Sequence, residues 1–196
     1  MKTLTTAALA AVALVAATPA AAQFVSEADQ AERAEAMAKL SFMHGEWVGP
    51  ASGTNPDRST YEVTQTERIG PMLGGDILVI EGKGYEEDGS VGFNAFGVIS
   101  YDTGKDAYEI RSYAMGMAGT FPLTLTDTGY VWEIPAGPGT VRYTATIDGD
   151  SFREVGEYVM ANGQAWPTFE MTLNRRGDTD WPAAGASAID RPVSPT

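Results

Sequence analysis

The sequence predicts an all-β protein: an antiparallel up-and-down barrel of about ten strands with an N-terminal helix capping one end. Three observations carry this. Residues 46–175 fall into short runs rich in branched and aromatic residues, with no helical stretch between them. Turn signals separate the runs, and Asp88-Gly89, Asp148-Gly149 and Asn162-Gly163 are of the two-residue type that closes a hairpin. Gly45-Glu46-Trp47 opens the series and Arg175-Arg176 closes it, which sets an aromatic ring on the first strand against a guanidinium on the last.

Taken in order, residues 1–22 read as a secretory signal peptide. Lys2 supplies a positive start, residues 4–17 are apolar, Pro19 breaks the run, and Ala20-Ala21-Ala22 fits the small-residue cleavage rule. Cleavage before Gln23 and export, to the periplasm or beyond, are the expectation. The apolar run is shorter than the roughly 20 residues that span a bilayer, and no other run approaches that length. Removing residues 1–22 leaves 174 of 196 residues, ample for one domain with its own core.

Residues 23–44 form the N-terminal helical segment, with the helix over 26–43. Ser26 is its N-cap, Asp29 sits three residues on, and Glu27 with Asp29 favours the positive end of the helix dipole. Ala28, Ala31, Ala34, Met37, Ala38 and Leu40 give a modest apolar stripe.

The barrel domain is 45–176. Strands are expected near 46–52, 59–69, 76–84, 91–101, 107–114, 119–126, 129–134, 139–147, 151–160 and 165–175. With no crossover helices, neighbours pair antiparallel. A closed barrel removes exposed sheet edges, and a two-sheet sandwich is the alternative. Pro122 and Pro167 inside strand runs mark bulges or local edges. The run from Gly70 to Gly75 lacks the Lys and Ser/Thr of a phosphate loop and reads as a tight turn. Residues 177–196, rich in Ala, Pro, Asp and Ser without periodicity, read as a loose tail.

The formal net charge of −13 repels phosphate backbones and anionic lipid heads, so nucleic acid is not an expected partner. No Cys is present, so stability comes from burial and sheet hydrogen bonds. His44 is the only His. One imidazole with no thiolate is a poor zinc or copper set, and a helix-end His favoured by the dipole is the plainer reading. Met115 and Met117, with Met43 and Met72, suit gap filling better than a thioether copper site. Glu86-Glu87-Asp88 and Asp148-Gly149-Asp150 lack calcium-loop spacing. Ser52 lies in no nucleophile elbow. No catalytic residue, metal site or cofactor is assigned.

Polar residues among alternating apolar ones are more informative. In Tyr61-Val63-Gln65-Glu67-Ile69 the alternate positions point Gln65 and Glu67 inward. Arg111 shares a strand face with Tyr113, and Phe152, Glu154, Gly156 and Tyr158 share another. A cavity lined by Tyr61, Tyr113, Tyr143, Tyr158 and Trp166 is expected, with Glu67 and Arg111 as polar anchors and Arg111 or Arg142 as partner to Glu67. Trp47 and Arg175 are the structural pair closing one end.

Four features resemble a family of secreted bacterial barrels of unknown function, placed with the lipocalin-like (calycin) folds. They are the run from Leu40 to Trp47; Glu67 followed by Leu73-Gly74-Gly75; Gly97 to Asp102 with Tyr108; and Arg175-Arg176. The resemblance implies a barrel and a cavity but no agreed activity. Related barrels of the nitrobindin type bind haem through a His on a late strand; this chain has no His after His44 and departs from that pattern, so the resemblance does not carry haem binding over. Three function classes remain: a barrel binding a small apolar or amphipathic molecule, a filled barrel acting through its surface, and an enzyme using an interior carboxylate. The sequence does not fix the oligomeric state.

Overall fold

The computed structural model describes residues 25–55 and 57–181. Ten antiparallel strands form a closed barrel: β1 (Gly45–Thr54), β2 (Thr60–Met72), β3 (Ile77–Tyr85), β4 (Val91–Asp102), β5 (Ala107–Ala114), β6 (Met117–Thr126), β7 (Gly129–Ala136), β8 (Gly139–Asp148), β9 (Ser151–Met160) and β10 (Ala165–Gly177). Each strand pairs with its neighbours in sequence, and β1 pairs with β10. The closed ladder rules out the sandwich alternative. It leaves no free edge at the ends of the chain's strand series, so every strand gains two partners.

The helix is shorter than the sequence predicts. Helix α1 spans Glu27–Ala38 with Ser26 as N-cap, its hydroxyl accepting from the Asp29 amide at 3.1 Å. The chain then tightens through Lys39 N to Ala36 O and Leu40 N to Met37 O bonds into a 3₁₀ turn at Ser41–Met43. That tighter path lets Leu40 and Met43, both wholly buried, enter the barrel end. There they join Trp47, Ile69, Ile99 and Leu173, which are equally buried. Tyr108 pins the helix by donating to the Ala36 carbonyl at 2.7 Å.

Trp47 is the centre of this plug. Its indole N–H donates to the Met43 carbonyl at 3.1 Å, and the Phe152 ring meets it edge-on at 5.6 Å. The Arg175 guanidinium lies 4.1 Å from its ring centroid. Trp47 and Arg175 are register partners across the β1–β10 ladder. Arg175 also donates to the carbonyls of His44 and Phe42, which closes the open end of the 3₁₀ turn.

Residues 177–181 differ from the expected loose tail. β10 runs to Gly177, and Trp181 then sits 5.6 Å from the Arg68 guanidinium, which also pairs with Asp180 at 3.2 Å and Glu46 at 2.6 Å. Gly70 makes room, because a side chain there would strike Thr179 and Trp181. The rest of the tail and the expected signal peptide lie outside the described residues.

The two marked prolines behave differently. At Pro167 the β9–β10 register shifts before Phe169, a bulge. Pro122 instead ends a ladder: β6 and β7 pair only from Leu123↔Trp132 to Thr126↔Gly129. Continued in the same register, the ladder would set Pro122 opposite Glu133 and Thr120 opposite Pro135. Those two positions share one hydrogen-bonding class, and each proline lacks the N–H the ladder would need. The barrel wall is therefore unlaced between the upper parts of β6 and β7.

Candidate functional site

Strand register identifies the inner face. Trp47, Ala51 and Ile69 are buried, and they share that face with Tyr61, Val63, Gln65 and Glu67. The same alternation places Tyr108, Ile110, Ser112 and Ala114 of β5 inward, and Tyr130, Trp132 and Ile134 of β7. On β8, β9 and β10 it places Tyr143, Ala145, Glu154, Tyr158, Phe169 and Met171 inward.

The inward faces are not equally buried. Toward the plug they are closed. Toward the other mouth, Tyr61, Val63, Ser112, Phe121, Trp132, Tyr143, Tyr158 and Phe169 are only half-buried. An inward side chain in a closed barrel touches solvent only within the lumen, at its mouth or through a gap in the wall. Solvent-sized space therefore reaches this half of the interior.

Its walls are aromatic. Phe121, Trp132, Tyr143 and Phe169 form a continuous ladder over β6, β7, β8 and β10, with centroid separations of 5.9, 4.6 and 6.2 Å. Trp132 and Tyr143 are stacked at 16°. Opposed inner glycines accept these rings: a side chain on Gly156 would collide with Tyr143, and one on Gly53 with Tyr61. Tyr158 anchors near the rim through its hydroxyl to the Ala136 carbonyl at 3.2 Å, with Trp166 stacked beside it at 6.4 Å.

Two carboxyls lie beneath the rings. Glu154 is buried and accepts from the Tyr130 hydroxyl at 3.0 Å. Burial pushes its carboxyl up to about 7, against the opposing pull of hydrogen bonds from Tyr130 and Trp132. Glu67 lies against Gly82, where a side-chain carbon would strike both carboxyl oxygens. Gln65, itself buried, donates to Glu67 Oε1 at 2.7 Å; Oε2 takes no hydrogen bond among the described residues. Burial pushes Glu67 up to about 8, Gln65 opposes that, and the negative charge of Glu154 adds to it. Glu67 keeps a partly exposed surface although protein surrounds it, as a group facing internal space does.

The structure brings together Tyr61, Glu67, Tyr143 and Tyr158 of the residues expected from sequence. Trp166 stands at the rim, 46% exposed. Arg111 and Tyr113 are corrected: they face outward. Ile110 is their buried neighbour and pairs with buried Ile99, so the odd-numbered residues of β5 point away from the lumen. Arg111 stacks on Tyr113 and donates to its hydroxyl at 2.6 Å. Tyr113 borders a shallow outer hollow of about 480 Å³ with Phe96, Met115 and Met117. The expected partnership of Glu67 with Arg111 or Arg142 is likewise replaced. Arg142 pairs with Glu133 at 2.6 Å on the outer wall, and Gln65 serves Glu67.

His44 also departs from the helix-dipole reading. Burial and then the adjacent Arg175 lower its pKa, which disfavours the imidazolium, and Arg175 takes the role of cation at the turn's carbonyls. Met43 is in the plug while Met115 and Met117 flank the β5–β6 turn at the opposite end, so they do not converge.

Sequence reasoning did not assign Glu154, Tyr130, Trp132, Phe121 and Phe169 to the site. The alternation of Phe152, Glu154, Gly156 and Tyr158 was the available signal for Glu154, since a Glu flanked by inward apolar residues lies among them.

No known family matches this chain by sequence, and no curated protein matches it either. Solved structures do match its fold. One is a crystal structure of Rv2717c from M. tuberculosis, with a TM-score of 0.56 and 15% identity over 74% of this chain and 99% of that one. At that identity the likeness shows the barrel fold alone.

Proposed function

We propose that this chain is an exported barrel that binds a small amphipathic molecule in its lumen. The carrying observation is the half-buried aromatic ladder of Phe121, Trp132, Tyr143 and Phe169 set above two interior carboxyls. Flat rings offer apolar contact at little rotamer cost, and a few polar groups beneath them fix orientation. Export rests on the sequence of residues 1–22.

Titration with Nile red, a neutral dye, tests the lumen. Wild type should enhance its emission, and Trp132→Ala and Ser112→Phe, the second of which fills the lumen, should each weaken binding by tenfold or more. Tyr113→Ala, on the outer wall, should bind as wild type does. Equal binding by all four would move the site out of the lumen. No binding by wild type would favour a filled barrel acting through its surface. For export, Edman sequencing of the protein recovered outside the cytoplasm should begin at Gln23, and recovery of residues 1–22 on that protein would refute cleavage.

A further inference from the structure

We infer that the lumen selects ligands headed by a protonated nitrogen base and rejects those headed by a carboxylate. This rests on the lumen-binding reading above and specifies the chemistry of its ligand.

Among the described residues, the acidic side chains facing the lumen are Glu67 and Glu154, and no Lys, Arg or His joins them. Arg68, Lys83, Arg142 and Arg153 are on the outer wall, each paired with an outer carboxylate. Arg111 is outside with Tyr113, and Arg175 is committed to Trp47 and the carbonyls of the plug. The remaining described cations, Arg33, Lys39, Arg58, Lys105 and Arg176, lie on the helix or at its end, in turns or at the exposed end of β10.

Both interior acids are served by neutral donors only. Glu154 has Tyr130, and Glu67 has Gln65 on one oxygen. Neutral donors satisfy lone pairs but do not cancel a charge in a medium of low dielectric. A carboxylate-headed ligand would add negative charge beside two acids whose own ionisation burial already opposes, and beside Glu67 also the charge of Glu154. An ammonium would supply the missing counter-charge and a donor for Glu67 Oε2.

The walls make a second, independent case. The faces of Trp132, Tyr143, Phe121 and Tyr61 carry negative electrostatic potential, which attracts a cation and accepts an aryl or alkyl body without a charge of its own. Rings above and acids below therefore favour the same ligand sign.

The titrating groups that face the head position are Glu67 from β2, Glu154 from β9, and the hydroxyls of Tyr130 and Tyr143 from β7 and β8; Tyr61 of β2, also held protonated by burial, lies toward the mouth, and Glu81 of β3 adds negative charge from the outer wall. Burial holds the Tyr130 and Tyr143 hydroxyls protonated well beyond neutrality. Between pH 5.5 and 8 only the two carboxyls change charge, so amine affinity should rise with pH over that range while the amine itself stays cationic.

The test uses three probes of one shape: 1-naphthylmethylamine, 1-naphthalenemethanol and 1-naphthaleneacetic acid, titrated calorimetrically into the protein at pH 7.5. The amine should bind at least tenfold tighter than the alcohol, and the acid weakest. The double variant Glu67→Gln/Glu154→Gln keeps the shape and removes both charges. It should erase the amine's advantage over the alcohol and flatten its rise with pH. An acid that binds as well as the amine, or an amine advantage that survives in the double variant, would overturn the inference and leave lumen binding intact. Failure of all three probes together with Nile red would instead remove the lumen-binding reading, and the inference with it.

Discussion

Trp47 shows how one residue can hold the end of a barrel. Its ring is wholly buried, its N–H is satisfied by Met43, its edge meets Phe152, and its face carries Arg175. Loss of the ring leaves a cavity and strands the guanidinium stacked on it. Trp47→Ala should therefore cost about 3–5 kcal/mol, read as a lower denaturant midpoint at unchanged slope. Arg175→Lys keeps the charge but loses the planar fork that spans ring and carbonyls, and it should also destabilise, by less than the loss of the ring. A midpoint unmoved by Trp47→Ala would mean that the plug does not depend on its indole. The first and last strands were legible as partners because an aromatic and a guanidinium bracket the β run. The contact of Met43 was not, because it depends on a 3₁₀ turn that no local pattern announces, and that of Phe152 was not, because it depends on the register of β9 against β10.

At the level of the strand, period-two alternation fixed most inner faces, and β5 shows where it runs out. Its two faces are Tyr108, Ile110, Ser112, Ala114 and Ala107, Glu109, Arg111, Tyr113. Each carries a tyrosine and an alanine, so hydrophobicity alone separates them poorly. The charges on Glu109 and Arg111 mark the outer face, and a single inner-face assumption about Tyr113 carries Arg111 inward with it. β9 was easier to read because Phe152 and Tyr158 bracket Glu154 on one face. The seam beside β6 was half legible: Pro122 predicted an irregularity, but its pairing with the chemistry of Pro135 emerges only once the register is known. Wall segments with no ladder partner lack protection from solvent exchange. The amides of Thr120 and Glu133, which point into the seam, should therefore exchange with deuterium well before those of β1 paired to β10. Uniform protection around the barrel would show that the seam is laced in solution.

The whole molecule combines an acidic chain, with a net charge of −13, and two carboxyls held inside a closed wall. Both interior groups have folded-state pKa values raised from the ordinary 4.5, to about 8 for Glu67 and about 7 for Glu154. Between the ordinary value and the raised one, the folded protein holds protons that the unfolded chain has released. Stability then falls as pH rises. The contribution is fully present below about pH 4.5 and is lost progressively as pH climbs through 7 and 8. Surface repulsion among excess carboxylates acts in the same direction at the acid end, because their protonation relieves it. The two sources separate by position on the pH axis and by mutation. Surface acids titrate mostly below pH 5 and leave a flat profile above it. The interior pair should instead make Tm fall between pH 5.5 and 8, by several degrees for a domain of this size. Glu67→Gln/Glu154→Gln should remove that slope and raise Tm at pH 8, since neutral amides carry no charge to desolvate. A wild-type Tm that is flat or rising over this range would mean that the carboxyls are solvated or counter-charged in the folded protein.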